Sequence, residues 1–222
     1  MLSLRLQTIA SFLNKNDKVA DIGTDHGYLG IYAVQNHLVE SIILTDIKSS
    51  ALASARKNIA RLDLDIPTIV TNGLEDIDTT KLNTLVISGM GTSTILDILS
   101  NKAKLQPINK LILQSNNNLA ELRCQITNLG YQLINEKTIE DNGFWYVVCL
   151  FQKDSQAFLD EDTIKYGLLK KDKIPYYEYL LLNNKNILEQ IEKNNSEALV
   201  KTRLQQESKD LANLLEECRR IK

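Results

Sequence analysis

Residues 19 to 34 read VADIGTDHGYLGIYAV: an apolar run ends on Asp21, Ile22 and Gly23, and a second acid, Asp25, and then His26 follow at once. Two carboxylates and an imidazole at the end of a buried-type run suit a site that holds a cation or handles a proton. A dinucleotide loop would instead carry G-x-G-x-x-G, so that the backbone can approach a pyrophosphate. Here Gly23 and Gly27 are present, but Asp21 and Asp25 would repel a diphosphate. Three further runs end in residues of the same kind. SIILTDI (41–47) closes on Asp46 and Ile47, where an acid can accept hydrogen bonds from both hydroxyls of a ribose. PTIVTNG (67–73) closes on Asn72 and Gly73, followed by Leu74, an amide beside backbone that a ligand can approach closely. NTLVISGMG (83–91) closes on Ser88, Gly89, Met90 and Gly91, which leave open space under a ligand.

Those residues need elements to hold them. Leu4, Leu6, Ile9, Ala10 and Leu13 recur at helical spacing behind Ser3, a candidate cap. KVADIG (18–23) reads as a strand, followed by a helix near 28–37. SIILTDI is followed by a helix over 49–62, with Ser49 or Ser50 placed to cap it. NKLILQSN (109–116) continues the series, and YQLINEKTI (131–139) and FWYVVCLFQK (144–153) flank the turn signal EDNG as an antiparallel hairpin. Apolar strands alternating with helices predict a parallel sheet covered on both faces, which binds ligands outside the carboxyl ends of its strands at the topological switch point. The core is expected to span 1–153. From 154 to 222 long charged residues dominate, and Pro175 suits a first helical turn. Tyr176, Leu180, Asn183, Ile187 and Ile191 trace one seam; Val200, Leu204, Glu207, Leu211, Leu214, Cys218 and Ile221 trace a heptad seam. With a turn at KNNSEALV capped by Ser196, this predicts an antiparallel, coiled-coil-like helical pair, serving as a packing appendage, a dimerisation arm or a contact to a large substrate.

The four loops together fit a nucleoside bearing a cationic amino-acid tail. S-adenosylmethionine offers a sulfonium and an ammonium to the first loop, a diol to Asp46 and an adenine edge to Asn72. NAD fits less well, because of Asp25 and the missing middle glycine. Each loop alone also fits a turn-capping Asx residue or a packing glycine.

The runs LSLRLQTIASFL, ADIGTDHGYL, NGLEDI, ISGMGT and LILQSN, in this order, resemble the bacterial tRNA (adenine(22)-N(1))-methyltransferase family, TrmK. The resemblance covers residues 2 to 153, while the tail matches in type more than in letters. It implies a Rossmann-like class I methyltransferase sheet with a C-terminal α-helical domain. It also implies transfer of a methyl group from S-adenosylmethionine to N1 of adenine 22, with the helical domain helping to hold the tRNA. Asn72 stands where the family often has an acid, and Ser115 where Pro often sits. Enzymes that methylate the exocyclic amine of adenine carry an (Asp/Asn)-Pro-Pro-aromatic loop at the fourth strand, which Ser88-Gly89-Met90-Gly91 is not. Adenine N1 has an in-plane lone pair and needs alignment and a favourable field rather than deprotonation.

The expected cofactor contacts are Asp21, Gly23, Asp25, Asp46, Ile47, Asn72, Gly73, Leu74, Gly89, Met90 and Gly91. The candidates for the chemistry are Asp25, His26, Tyr28 and Asn116. Asp25 can face the cationic product. His26 can relay its proton, bond the base, or be a buried structural residue; Tyr28 can stack on the base or pack the helix start. Asn116 can bond a Watson–Crick edge or cap the helix from 118. The base must be extruded from folded tRNA, so anchoring cations are expected among Arg5, Lys15, Lys18, Arg56, Lys57 and Arg61, and near the tail hinge at Lys165, Lys170, Lys171 and Lys173.

The bulk of the chain constrains this reading only lightly. Its 222 residues are 43% hydrophobic and 24% charged, with 26 Lys plus Arg against 28 Asp plus Glu, so no overall basic surplus announces a nucleic-acid partner. Cys124, Cys149 and Cys218 lack metal-ligand spacing, which points to a reducing, cytoplasmic setting without a bound metal. No apolar run approaches the roughly 20 residues of a membrane span, and the N-terminus is expected to belong to the fold rather than to a signal peptide. A monomer is expected. A small-molecule methyltransferase with a helical lid or dimer arm, and a non-catalytic RNA-binding scaffold, are the alternatives.

Overall fold

In the computed structural model, which describes residues 2–194 and 198–221, the chain forms two compact units, Met1–Gly167 and Leu168–Lys222. In the first, helix α1 (Leu4–Ala10) starts at Ser3, whose hydroxyl accepts the Leu6 N–H at 3.3 Å. Strand β1 (Lys18–Ile22), helix α2 (Tyr28–Gln35), strand β2 (Ser41–Asp46), helix α3 (Ser49–Arg61) and strand β3 (Thr68–Val70) follow. Then come β4 (Thr84–Met90), α4 (Thr92–Ile98), α5 (Lys102–Leu105), β5 (Lys110–Ser115), α6 (Leu119–Asn128), β6 (Tyr131–Asp141), β7 (Phe144–Lys153) and α7 (Glu161–Tyr166).

Among the described residues one seven-stranded sheet forms, in the order β3-β2-β1-β4-β5-β7-β6. The first five in this order are parallel; β7 runs antiparallel to β5 and to β6. Val19, Ala20, Leu85, Val86, Ile87, Leu111, Ile112 and Leu113 are buried, which explains why these strands read as continuous apolar runs. Right-handed crossovers place α2 and α3 on one face and α4 and α6 on the other. After β3 the chain returns to the middle of the sheet, so the carboxyl ends of β1 and β4 flank the switch point. The hairpin turns at Asn142 and Gly143, both at positive φ (54° and 80°), the pattern of a tight two-residue turn.

Two local expectations change. Neither Ser49 nor Ser50 caps α3: Lys48 holds the cap position, and its N–H is taken by Asp46 Oδ1 at 2.9 Å. The first unit also runs past residue 153 to Gly167. The reason is a buried guanidinium: Arg123, on α6, bonds Glu136 at 2.7 Å and donates to the carbonyls of Ile164 and Lys165 at 3.0 and 3.3 Å. Helix α7 is thereby tied to the core.

In the second unit, helices α8 (Ile174–Asn194) and α9 (Ala198–Arg220) pack against each other. Ion pairs Arg219–Glu178 (2.9 Å) and Lys201–Glu192 (2.8 Å) join opposite ends, so the two run antiparallel. Leu204, Leu211 and Cys218 of the heptad seam are buried, together with Leu215. On α8 the buried positions are Tyr177 and Asn184, whereas Asn183 is exposed, so that seam lies one residue further along than the sequence suggested. Ser196 lies outside the described residues. Among the described residues no helix is long and apolar enough to cross a membrane.

Candidate active site

Two clefts open outside the strand ends, and both are walled by Gly23, Ser88 and Gly89. The first, about 650 Å³, is lined by Ile22, Asp46, Ile47, Asn72, Gly73, Leu74, Glu75 and Met90 among others. The second, about 1270 Å³, lies between α1 and α2 and takes in Asp21, Thr24, Asp25, His26 and Tyr28. The ends of β2, β3 and β4 thus line one cleft together with Ile22 and Gly23, while the rest of the β1 loop, Thr24 to His26, lines the other.

Gly23 makes this division possible. Its φ of +75° belongs to the left-handed region, and a Cβ there would collide with the terminal methyl of Met90. The loop folds back so that the Gly23 and Thr24 N–H groups both donate to Thr45 O, at 2.8 and 3.0 Å. Asp21, 4% exposed, accepts the Thr24 hydroxyl at 2.6 Å. Burial lifts its carboxyl from the ordinary 3.8 to about 6; the Thr24 bond works against this, and the nearby charge of Asp46 adds to it. A carboxyl in that state is poised to ionise when a cation arrives.

Asp46 stands at the rim of the first cleft, its Oδ1 on Lys48 N–H and its Oδ2 on Asp25 N–H at 3.3 Å. Each oxygen keeps a lone pair for a diol. Ile47 is 63% exposed beside it, an apolar surface of the kind a purine face covers, and Leu74 is buried behind. Asn72 donates its amide to Glu75 Oε1 at 2.9 Å, so an acid absent at position 72 is supplied three residues later. Sequence reasoning missed Glu75; the run NGLEDI contained it, but only the fold brings it to the cleft. The lining of the first cleft fits an adenosyl group, with a carboxylate for the diol and an exposed apolar side chain for the base, while buried Asp21 lines the second cleft two residues before the shared Gly23.

Asp25 belongs to the second cleft. Held at φ 54°, it reaches the cofactor side only through its backbone bond to Asp46, and its carboxylate lies 3.4 Å from His26 Nε2. His26 is half-exposed rather than buried, with its ring 5.4 Å from the Tyr28 ring. Tyr28, 50% exposed at the start of α2, lines the second cleft rather than being packed away at the helix start.

Asn116 and Gly91 line neither cleft. The Asn116 amide donates to Gly89 O at 2.9 Å and accepts Gln114 Nε2 at 3.0 Å, so it braces the β4 loop; Asn118 takes the cap position of α6. Gly91 begins α4 against the Asn117 side chain. Ser115 replaces the rigidity of a proline with hydrogen bonds to Thr92 Oγ1 (2.9 Å) and Asn117 O (2.8 Å). Fully buried Gln114 was also missed: its Oε1 accepts both Gly89 N–H (3.0 Å) and Arg5 Nη1 (2.9 Å). Of the expected anchoring cations, Arg5 lines the second cleft, Lys18 pairs with Glu40 at 3.2 Å, and Lys173 is buried in the second unit.

A family model described as a methyltransferase domain matches residues 2–149. The chain is 34% identical over 172 residues to the tRNA (adenine(22)-N(1))-methyltransferase of Bacillus subtilis, covering 76% of this chain and 72% of that protein. Among solved structures it is similar to Mycoplasma capricolum TrmK in complex with S-adenosyl-homocysteine, the natural cofactor product, with a TM-score of 0.82 and 31% identity over 97% of this chain and 98% of the other. The structure of the B. subtilis m1A22 tRNA methyltransferase TrmK matches with a TM-score of 0.73 and 30% identity, over 99% and 97% of the two chains.

Proposed function

The chain belongs to the tRNA (adenine(22)-N(1))-methyltransferase family, and from this premise we infer that it methylates N1 of adenine 22 in tRNA with S-adenosylmethionine. The observation that carries the reading is the meeting of two clefts at Gly23, Ser88 and Gly89, one with adenosyl-binding chemistry and one roomy enough for an extruded nucleotide.

Bound in the first cleft, S-adenosylmethionine supplies a methyl group carried on a positive sulfur. Asp46 would hold it through the ribose diol, Ile47 would cover the adenine, and Asp21, beyond the shared Gly23, would meet the positive tail. Glycines at 23 and 89 bring no side chain of their own to the junction, which the Met90 methyl and the Arg5 guanidinium border, so nucleophile and methyl can approach in line. On the far side Asp25 and His26 meet the target base, with Tyr28 as a stacking surface. The lone pair of N1 would receive the methyl, the S–C bond being exchanged for an N–C bond, and the base would be left positively charged. The carboxylate of Asp25 stabilises that charge where it arrives, and His26 can take up the proton the product sheds from its amine.

The unit 168–222, with its heptad-spaced antiparallel helices, acts as a coiled-coil-like arm that holds the tRNA outside the pocket. Mass spectrometry of nucleosides from tRNA incubated with protein and cofactor tests the assignment. 1-Methyladenosine at position 22 is expected; methylation at N6, or none, would refute it.

A further inference from the structure

Arg5 holds a position that neither cofactor binding nor the chemistry above explains. It sits on α1, and its Nη1 lies 3.1 Å from where a Cβ of Gly89 would be, so the guanidinium covers the bare backbone of Gly89 at the junction. Three contacts fix it there. Nη1 donates to Gln114 Oε1 at 2.9 Å, the guanidinium carbon lies 5.4 Å from the centroid of the Tyr146 ring, and the Arg5 backbone N–H is held by Asp141 Oδ2 at 3.1 Å. Gln114 is wholly buried and is itself fixed by Gly89 N–H and Asn116, so the arginine is preorganised rather than free to swing.

Asp141 bonds only the Arg5 backbone N–H, Gln114 is neutral, and among the described residues the guanidinium is left without an ion pair. Arg5 is also the one Lys or Arg among the residues lining the second cleft, whose acids, Asp21 and Asp25, belong to the β1 strand end and loop. The cleft is thus polarised, cationic on the α1 wall and acidic on the other. Left bare, a guanidinium beside a base that becomes cationic would oppose the reaction. Paired with an anion of the substrate it would not, and its planar fork matches a phosphate.

Resting on the methyltransferase reading, we propose that Arg5 anchors a backbone phosphate of the extruded nucleotide, so that the target base enters between this contact and Asp25–His26. The substrate class is accordingly a nucleotide within a strand and not a free nucleoside or neutral metabolite.

The test compares Arg5→Gln and Arg5→Lys with the wild-type protein. Arg5→Gln keeps a donor for Gln114 but removes the charge; Arg5→Lys keeps the charge. Loss of one phosphate contact should lower the slope of log Kd for tRNA against log salt by about 0.7–1 in Arg5→Gln and leave it unchanged in Arg5→Lys. The kcat/KM for tRNA should fall by about 10- to 100-fold in Arg5→Gln, the loss expected of one charge-assisted hydrogen bond. Affinity for S-adenosylhomocysteine should stay at the wild-type value in both, which shows that the Gly89 loop is intact. An unchanged slope in Arg5→Gln, or an equal drop in both variants, overturns the phosphate anchor while leaving the methyltransferase reading standing. A wild-type protein that binds no tRNA at any salt overturns that reading instead, and with it the anchor.

Discussion

The Asp21 carboxylate accepts the Thr24 hydroxyl at 2.6 Å across the turn after β1, with Gly23 between them at positive φ. Desolvation leaves this acid near 6, within reach of physiological pH. Between its ordinary 3.8 and about 6, the folded chain holds a proton that the unfolded chain has released. The cofactor-free protein therefore loses stability as pH rises through that window, by up to about 2–3 kcal/mol. Asp21→Asn should melt above the wild type at pH 7.5, with the gap closing towards pH 4. Equal melting temperatures at pH 7.5 would refute the assignment.

The same ionisation should favour a cationic ligand. Affinity for S-adenosylmethionine is expected to rise about tenfold from pH 5 to pH 7 as Asp21 gives up its proton. Calorimetry across that range checks it, and Asp21→Asn should flatten the curve. A flat wild-type curve would mean that Asp21 does not face the ligand's charge.

Asp46 carries two loads, a rim position on the cofactor cleft and a hydrogen bond to Asp25 N–H. Asp46→Ala should weaken cofactor binding by about 1.5–3 kcal/mol, the range for hydrogen bonds to a charged group. Because Asp25 loses its tether, turnover at saturating cofactor should fall as well. Unchanged affinity in a folded variant, measured calorimetrically, would remove Asp46 from the site.

His26 lines only the second cleft, and its backbone carbonyl is held by Asn58 Nδ2 at 3.0 Å, so the imidazole can be removed without releasing the loop. His26→Ala is expected to lower single-turnover methylation by about 10²-fold, in the range of one general acid–base group, with cofactor affinity retained. If affinity falls as far as it does in Asp46→Ala, whose carboxylate lines only the first cleft, the separation into a cofactor cleft and a base cleft is wrong.

The parts of this architecture that were legible in the sequence are those set by local pattern. Buried parallel strands must be apolar throughout, so β1, β2, β4 and β5 stood out, and their ends were marked by Asp21, Asp46 and the Ser88–Gly91 run. Asn142-Gly143 announced the hairpin for the same reason, since few residues take two successive positive φ values. What escaped depends on partners distant in sequence. Gln114 reads as the last residue of an apolar strand, and only the fold brings Arg5, 109 positions away, to its side chain. Asn116 has the residue type to read a base, yet Gln114 on β5 and the Gly89 carbonyl on β4 have engaged the two ends of its amide. Lys48 replaced the expected serine caps because Asp46 had already turned the backbone.

The end of the catalytic unit was hidden in the same way, and it yields the last prediction. The composition shifts after Lys153, but Arg123 and Glu136, 2% and 0% exposed at their side chains, form a buried pair whose guanidinium also reaches the carbonyls of Ile164 and Lys165. Cutting at 153 removes those acceptors from beneath a buried charge, and leaving a charged donor short of partners costs on the order of 1–3 kcal/mol. A chain ending at Gly167 keeps α7 and every bond just named. Residues 1–167 should therefore fold, bind S-adenosylhomocysteine with the affinity of the full chain and methylate tRNA poorly for want of the helical arm. Residues 1–153 should unfold at lower denaturant, with the loss appearing in the midpoint of the transition. Two results would count against this account: equal midpoints for the two truncations, which would make α7 an ornament of the core, and full-rate tRNA methylation by 1–167, which would remove the arm from substrate binding.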